Sequence, residues 1–172
     1  MQLRPRRSVL YMPGSNARAL EKAKTIAADA LILDLEDAVA PEAKDAARDQ
    51  VCAAVKAGGY GRRELVIRIN GLDTPWGKAD LEAAVAAVPD AILLPKPRNG
   101  ADVARVSEAL SRAGDKTQVW AMIETPLAIL NVQDIAAASR LGDARLACLV
   151  MGTNDLVKET RADLSANRRP AL

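Results

Sequence analysis

Short runs rich in Val, Ile and Leu recur along the chain and alternate with longer segments of helical composition. A strand that is buried on both faces is apolar throughout, so such runs are typical of parallel sheets whose strands are joined by crossover helices. The runs lie at 8–12, 30–34, 65–69, 91–94, 118–123 and 146–151. The alternation predicts an α/β fold with its binding site at the carboxyl ends of the strands.

The segments between the runs predict helices at 16–28, 41–57, 78–87, 101–113 and 126–139. Pro41 and Pro126 stand where a first-turn proline belongs, and the candidate capping residues are Asn16, Asp37, Asn99 and Thr125. Six strands fit either an open doubly wound sheet or part of a (β/α)₈ barrel. A dinucleotide-binding sheet would need G-x-G-x-x-G after its first strand, whereas residues 12–16 read MPGSN.

Composition narrows the classes of chemistry that the chain can perform. With 172 residues, 49% of them hydrophobic, the chain is long enough for one sizeable core, and we expect residues 1–172 to form a single domain. The absence of histidine excludes Ser-His-Asp triads, Cys-His dyads and imidazole-ligated zinc. A metal site would therefore need oxygen ligands. Cys52 and Cys148 are isolated in apolar stretches, as in proteins of a reducing compartment.

Charge and aromatic content argue against two classes of partner. Basic residues number 24 and acidic residues 22, and two Trp, two Tyr and no Phe leave little surface for stacking on nucleic-acid bases. The basic opening is followed by too few apolar residues for a signal peptide, and no apolar run is long enough to span a membrane. We expect a cytoplasmic protein that binds neither nucleic acid nor membranes.

Polar residues follow nearly every predicted strand, at the edge where a parallel sheet carries its chemistry. They are Tyr11, Asp34, Glu36, Asp37, Arg68, Asn70, Lys96, Glu124, Asn154 and Asp155. Any single one of them has an ordinary explanation as a solvated loop residue. Their number makes this edge of the sheet the candidate site.

Glu124 and Asp155 are the strongest candidates for metal ligands. Glu124 directly continues an apolar strand, and Asp155 follows the next strand after Gly152, where the backbone can turn sharply. Adjacent strands lie about 4.8 Å apart, so both carboxylates can reach one Mg²⁺ or Mn²⁺, which prefers oxygen ligands. The alternative is that Asp155 caps a following helix and Glu124 pairs with a basic residue.

Arg68 lies between apolar neighbours on a central strand, where an unpaired guanidinium would be costly. It needs an anionic partner, either the nearby acids or a substrate carboxylate or oxyanion. Asp34, Glu36 and Asp37 lie within four positions, so their negative charges repel one another unless a cation or an arginine compensates them. Asp37 has the alternative role of a helix cap. With Lys96, these acids are expected to surround the metal and substrate ligands.

The ordered set of motifs resembles the citrate lyase β-subunit-like family, which includes citryl-CoA, malyl-CoA and citramalyl-CoA lyases within the HpcH/HpaI aldolase superfamily. The matching segments are RSVLYMPGSN (7–16), LDLEDAV (33–39), IRIN (67–70), LPK (94–96), IETP (123–126) and GTNDL (152–156). Each segment is short, but their order over almost the whole chain is specific.

The resemblance implies a (β/α)₈ TIM barrel that binds Mg²⁺ through Glu124 and Asp155. It implies that Arg68 is the catalytic arginine and contacts the reacting oxygens of the substrate. It further implies that Tyr11, Arg18 and Lys22 line the path of coenzyme A and substrate, although an exposed helix face also explains Arg18 and Lys22. Members of the family imply a homo-oligomer, either a trimer or a hexamer.

The implied activity is Mg²⁺-dependent carbon-carbon lysis of a 3-hydroxyacyl-CoA thioester into an acyl-CoA and a 2-keto acid. The alternatives are a CoA-independent 2-keto acid aldolase of the same superfamily and a non-catalytic partner or regulatory protein. The family barrel has two further strand-helix units, so residues 1–172 are expected to be its first six. The proton-transfer residue is then expected beyond Leu172.

Overall fold

The computed structural model describes residues 4–113, 116–140 and 145–163. In them, six parallel strands form one sheet in the order β1 to β6, so each strand lies beside its neighbours in sequence. The strands are β1 (Val9–Pro13), β2 (Ala30–Asp34), β3 (Glu64–Arg68), β4 (Ala91–Leu94), β5 (Gln118–Ile123) and β6 (Leu146–Met151). Consecutive parallel order is that of a (β/α) barrel and not of a doubly wound sheet, whose strand order reverses. The predicted barrel fold is confirmed.

Helices follow the strands as the alternation predicted. They are α1 (Ala17–Ala23), α2 (Lys44–Ala57), α3 (Gly77–Ala87), α4 (Gly100–Ala113), α5 (Pro126–Leu130), α6 (Val132–Ala137) and α7 (Thr153–Thr160). Short 3₁₀ turns lie at Pro41–Ala43 and Ala138–Arg140. Residues 164–172, the last of the 172 expected to form the first six units, lie outside the described residues.

Two predicted helices are shorter than expected, and side chains explain both differences. The helix predicted at 16–28 ends at Ala23, because the amide and the hydroxyl of Thr25 both donate to the Lys22 carbonyl and tighten the chain into a turn. The helix predicted at 126–139 breaks at Asn131, whose side-chain amide donates to the Arg98 carbonyl at 2.8 Å.

The predicted capping residues are confirmed at three of four positions. Asn16 accepts the amide of Ala19 at 3.0 Å, and Thr125 accepts that of Ala128 at 3.1 Å. Asn99 accepts the amide of Asp102 at the start of α4. Asp37 does not cap α2, which is preceded by the Pro41 turn.

Strands β2 to β5 are buried on both faces, whereas most residues of the outer strands β1 and β6 are partly or largely exposed. Alternate residues of each strand point to the two faces of the sheet. One face packs on the helices and carries the larger apolar cluster, which includes Leu31, Leu33, Ile67, Ile92, Val119 and Ala121. The other face carries a smaller cluster of Ala30, Ile32, Val66, Ala91, Leu93, Trp120 and Met122. Asp34, Arg68 and Glu124 each lie two positions after a residue of this smaller cluster, so they share its face of the sheet. They lie at the carboxyl ends of β2, β3 and β5.

Within the described ranges, no helix is long and apolar enough to cross a membrane.

Candidate active site

A cavity of about 510 Å³ opens at the carboxyl ends of the strands. Its lining includes Tyr11, Asp34, Asp37, Arg68, Glu124, Asn154 and Asp155, all of which the sequence had placed at strand ends. Met122 and Thr153 also line it and were given no role from the sequence, whereas Gly152, which the sequence indicated only as a turn, lines it as well. The cavity therefore brings together most of the predicted site.

Arg68 is held by a chelating pair with Asp34. Its Nε and Nη2 donate to the two Asp34 carboxylate oxygens at 2.7 and 2.6 Å, and both side chains are almost fully buried. Asp34 in turn accepts the amides of Glu36 and Ala38. A carboxylate with four donors holds the guanidinium plane in one orientation. The expectation that Arg68 has an anionic partner is confirmed, and that partner is Asp34.

The remaining nitrogen of Arg68, Nη1, faces the cavity side of this pair. It lies 2.7 Å from Glu36 Oε2 and 3.3 Å from Asp37 Oδ2. The Glu36 contact is an ion pair with poor hydrogen-bond alignment, since Oε2 is buried without a hydrogen bond in the described structure. The three carboxylates raise the pKa of Arg68 against the opposing effect of burial. The guanidinium is thus permanently charged.

Tyr11 covers Arg68 from the neighbouring edge of the sheet. The guanidinium carbon lies 5.2 Å from the centre of the Tyr11 ring, within the range of a cation–π contact. The Tyr11 hydroxyl approaches Met122 Sδ at 3.9 Å. Burial raises the pKa of this phenol, so it stays protonated at neutral pH and can donate a hydrogen bond.

Glu124 is buried and carries the most perturbed carboxyl of the cavity. Burial raises its pKa to about 7, and the like charge of Glu36 adds to the effect. The amide of Lys96 donates to its Oε1 at 3.2 Å. Gly152 leaves room for it, because a Cβ at that position would lie 2.5 Å from Glu124 Cβ and 2.7 Å from Oε2.

Asp155 lies in the first turn of α7, beyond the strand next to that of Glu124. No side chain caps this helix, so Asp155 does not serve as its N-cap. Its Oδ2 pairs instead with Lys96 Nζ at 2.8 Å, and the same ammonium lies 2.7 Å from Glu36 Oε1.

The two carboxylates fit a hard cation by their chemistry. Glu124 is a buried acid whose pKa is raised first by burial and then by the charge of Glu36, and Glu124 and Asp155 line one cavity beyond adjacent strands. Among the described residues, no group of three or more Asp, Glu or Cys is arranged to hold a metal ion. The site thus offers two protein carboxylates, and Mg²⁺ commonly completes its shell with water and substrate oxygens.

Five of the polar residues predicted at the strand ends and on the first helix do not line the cavity. Glu36 and Lys96 lie beside it, where they contact Arg68 and Asp155, respectively. The other three are Asn70, Arg18 and Lys22. Asn70 turns away, and its side-chain amide donates to Leu35 O and to Asp80 Oδ2, a fully buried acid that sequence reasoning missed. Arg18 and Lys22 lie exposed on α1 and are not among the cavity's lining residues. Neither forms an ion pair within the described part of the chain.

A larger cavity of about 710 Å³ lies at the opposite, amino ends of the strands. Most of its charged residues form ion pairs with one another. Arg6 donates to both carboxylate oxygens of Glu64 at 2.6 and 2.7 Å, and Arg4 lies 3.4 Å from Asp90. In parallel α/β folds this end stabilises the barrel and the carboxyl end carries the chemistry.

Consecutive parallel strands with a charged cavity at their carboxyl ends define a (β/α)-barrel protein with a candidate active site at that end. Residues 7–170 match the HpcH/HpaI aldolase/citrate lyase family. The chain belongs to that family.

Three known proteins illustrate the relationship. The chain is 49% identical over 158 residues to a (3S)-malyl-CoA thioesterase of Cereibacter sphaeroides, which covers 92% of this chain and 52% of that protein. It is 38% identical over 169 residues to citrate lyase subunit beta of Escherichia coli K12, covering 94% and 55%. CitE from Mycobacterium tuberculosis, solved in complex with magnesium, acetoacetate and coenzyme A, superposes with a TM-score of 0.74 at 29% identity, covering 98% and 56%. The chain spans about half the length of the curated relatives it matches.

Proposed function

We propose that the protein is a Mg²⁺-dependent carbon-carbon lyase acting on a 3-hydroxyacyl-CoA thioester of the citryl-CoA, malyl-CoA or citramalyl-CoA type. One observation carries the proposal: Glu124 and Asp155 share a cavity with a guanidinium that Asp34 holds in a fixed orientation. The magnesium complex of CitE and the similarity to citrate lyase subunit beta support the metal-dependent lyase, and the similarity to malyl-CoA thioesterases supports the substrate class. We propose further that residues 1–172 belong to a single barrel domain in a cytoplasmic homo-oligomer, a trimer or a hexamer.

Glu124 and Asp155 would hold the metal ion, Mg²⁺ or Mn²⁺. When bound, the ion supplies Lewis acidity at the oxygens of the 2-keto acid and a template for its carboxylate. Burial of Glu124 favours this role, because a cation would reverse the cost of an ionised carboxylate in an apolar setting.

In the cleavage direction, the 3-hydroxyl group loses its proton and the bond between C2 and C3 breaks. The electron pair moves into the thioester as an enolate, which takes up a proton to give the acyl-CoA, and the former hydroxyl carbon becomes the carbonyl of the 2-keto acid. Negative charge develops on oxygen in this step. A guanidinium fixed in a desolvated site stabilises such an oxygen, and one donor of this kind is worth about 3–4 kcal/mol.

Arg68 is suited to that role by its surroundings. Asp34 occupies Nε and Nη2, so the edge of the guanidinium that carries Nη1 is the part available to substrate. Nη1 also contacts Glu36 Oε2 at 2.7 Å and Asp37 Oδ2 at 3.3 Å, so a substrate oxygen would share this edge with two carboxylates, of which Asp37 is more than half exposed. Tyr11 shields the guanidinium from one side, and its hydroxyl donates to the sulfur of Met122, another lining residue of the cavity.

Arg18 and Lys22 would bind the phosphates of coenzyme A. They lie four residues apart on α1 and are both exposed, so one anion can contact both. An aldolase that does not use coenzyme A would have no need of this pair.

Thioester hydrolysis is the second candidate activity, since the 49% identical relatives are named (3S)-malyl-CoA thioesterases. A single assay separates the activities. Malyl-CoA and citramalyl-CoA are incubated with the protein and Mg²⁺ or a chelator, and the 2-keto acid and the free thiol are measured separately. The lyase predicts Mg²⁺-dependent 2-keto acid without free thiol, whereas a thioesterase releases free thiol. Neither product from any CoA thioester, together with cleavage of a free 4-hydroxy-2-keto acid, would favour the CoA-independent aldolase.

A further inference from the structure

Lys96, immediately beyond β4, contacts three carboxylates that come from three different segments of the chain. Its ammonium lies 2.7 Å from Glu36 Oε1 and 2.8 Å from Asp155 Oδ2. Its backbone N–H donates to Glu124 Oε1 at 3.2 Å. One residue therefore touches both proposed metal ligands, one through its side chain and the other through its main chain.

The backbone of Lys96 is in a conformation that few non-glycine residues adopt, and it shares that conformation with Val88 and Arg161 among the described residues. Its φ is +47°, in the left-handed region that non-glycine residues seldom occupy. Strained backbone of this kind persists where the surrounding structure fixes it, and it concentrates at functional sites. Here it directs the N–H toward Glu124 while the side chain reaches back to Glu36 and Asp155.

The ion pairs around the cavity show which carboxylate depends on the Lys96 ammonium. The ionisable side chains that meet there are Asp34, Glu36, Asp37, Glu124 and Asp155 against Arg68 and Lys96. Asp34 and Glu36 already contact Arg68, whereas Asp155 has Lys96 as its only ion-pair partner in the described residues. The ammonium thus stands beside a carboxylate that a divalent cation would need.

We propose that Lys96 is a positioning residue: its ammonium holds Asp155 until a divalent cation takes that carboxylate, and it thereby sets the affinity of the site for the cation. The inference rests on the proposed metal-dependent function and deepens it. On cation binding, Lys96 keeps Glu36 as its partner and gives up Asp155. Because the cation displaces a charge already present, the site binds it more weakly than its carboxylates alone would.

Replacing the ammonium tests this inference by a gain of binding. In Lys96→Met the stem is of similar length but neutral, and we expect calorimetric titration with MgCl₂ to show at least 10-fold tighter binding than the unsubstituted protein. A structural defect would weaken binding, so tighter binding reports the ammonium itself. Lys78→Met is the matched control. It removes one charge from an exposed helix position 3.9 Å from Glu82, and its Mg²⁺ affinity stays unchanged.

A second variant guards against misfolding at the strained position. Lys96→Asn also removes the charge, and asparagine tolerates left-handed backbone, so the N–H to Glu124 is kept. Only a variant that unfolds cooperatively is used for the comparison. If such a variant binds Mg²⁺ no more tightly than the unsubstituted protein, the proposed role of Lys96 is wrong, while the assignment of the metal ligands stands. No Mg²⁺ binding by the unsubstituted protein or by either variant overturns the metal assignment and the inference together.

Discussion

Arg68 and Asp34 face each other from adjacent strands as a chelating ion pair, with Nε and Nη2 at 2.7 and 2.6 Å from the two carboxylate oxygens. Their register places them directly side by side at the ends of β2 and β3. Both side chains are buried, so each charge depends on the other for compensation. The pair ties the candidate site to the stability of the sheet.

Breaking this pair from one side should therefore destabilise the fold. In Asp34→Ala the charge of the buried guanidinium is compensated only by its ion pairs with Glu36 and Asp37. We therefore expect the free energy of unfolding to fall by about 3 kcal/mol. Denaturant unfolding of Asp34→Ala, Arg68→Ala and the double variant measures the coupling. If the losses in the two single variants simply add in the double variant, the two residues are independent and this account of the pair is wrong.

Arg68→Lys should lose catalysis even where it folds. A lysine cannot make both contacts to Asp34 and also present a donor to the substrate, because it lacks the planar fork of the guanidinium. We expect kcat to fall by at least 100-fold with Mg²⁺ affinity retained, as measured by steady-state kinetics and calorimetry. Arg68→Lys with kcat near that of the unsubstituted protein would reduce Arg68 to a point charge.

Gly152→Ala should impair metal binding through Glu124. The added Cβ would lie 2.5 Å from Glu124 Cβ and 2.9 Å from Met122 Cε, so the glutamate must move. We expect Mg²⁺ affinity to drop by about 10-fold or more in calorimetric titration, an energy of about 1.4 kcal/mol. Gly58→Ala is the control: it has open space but a φ of +67°, so it costs stability of about 1 kcal/mol and leaves Mg²⁺ affinity unchanged. Equal Mg²⁺ affinity in both variants would contradict the placement.

The strands of the sheet could be predicted from the sequence because each strand is a continuous apolar run bounded by polar residues, Gly or Pro. The sequence was also sufficient for Arg68, since a charge on a central strand needs a counter-charge whichever residue supplies it. It did not reveal that Lys96 pairs with Asp155, because contacts between loops 59 positions apart depend on how two strand ends converge. It also misjudged Asp37, because an acid before a helix is an equally good cap or ion-pair partner until the loop conformation is known.

Arg18 and Lys22 test the use of coenzyme A. In the double alanine variant we expect KM for a CoA thioester to rise about 10-fold with little change in kcat, because the pair would contact phosphate and not the reacting carbons. The remaining affinity should depend less on salt, since two exposed charges are gone. Glu21→Ala on the same helix is a control for surface substitution. Equal KM in the double variant and the unsubstituted protein, at both low and high salt, would favour the CoA-independent aldolase.

Glu124 should make the metal-free protein less stable as pH rises. Its folded-state pKa is about 7 against an ordinary value of 4.5, so the folded protein holds this proton more tightly than the unfolded chain. Its contribution to stability is fully present below about pH 4.5 and is lost as pH rises through 7, by at most about 3 kcal/mol. Denaturant unfolding in chelator at pH 5 and pH 8 measures this loss.

Substitution and metal should each remove that part of the pH dependence. Glu124→Gln cannot ionise, so its stability should fall less between pH 5 and pH 8, with Glu36 retaining a smaller contribution of the same sign because burial raises its pKa too. Saturating Mg²⁺ should flatten the profile of the unsubstituted protein, because a cation stabilises the charged carboxylate that burial disfavours. The carboxyls with lowered pKa, Asp29 and Asp102, act below this pH range and leave the comparison unaffected. Identical pH profiles for the unsubstituted protein and Glu124→Gln would show that the pKa of Glu124 is not raised. The argument for a cation beside this carboxyl would then be lost.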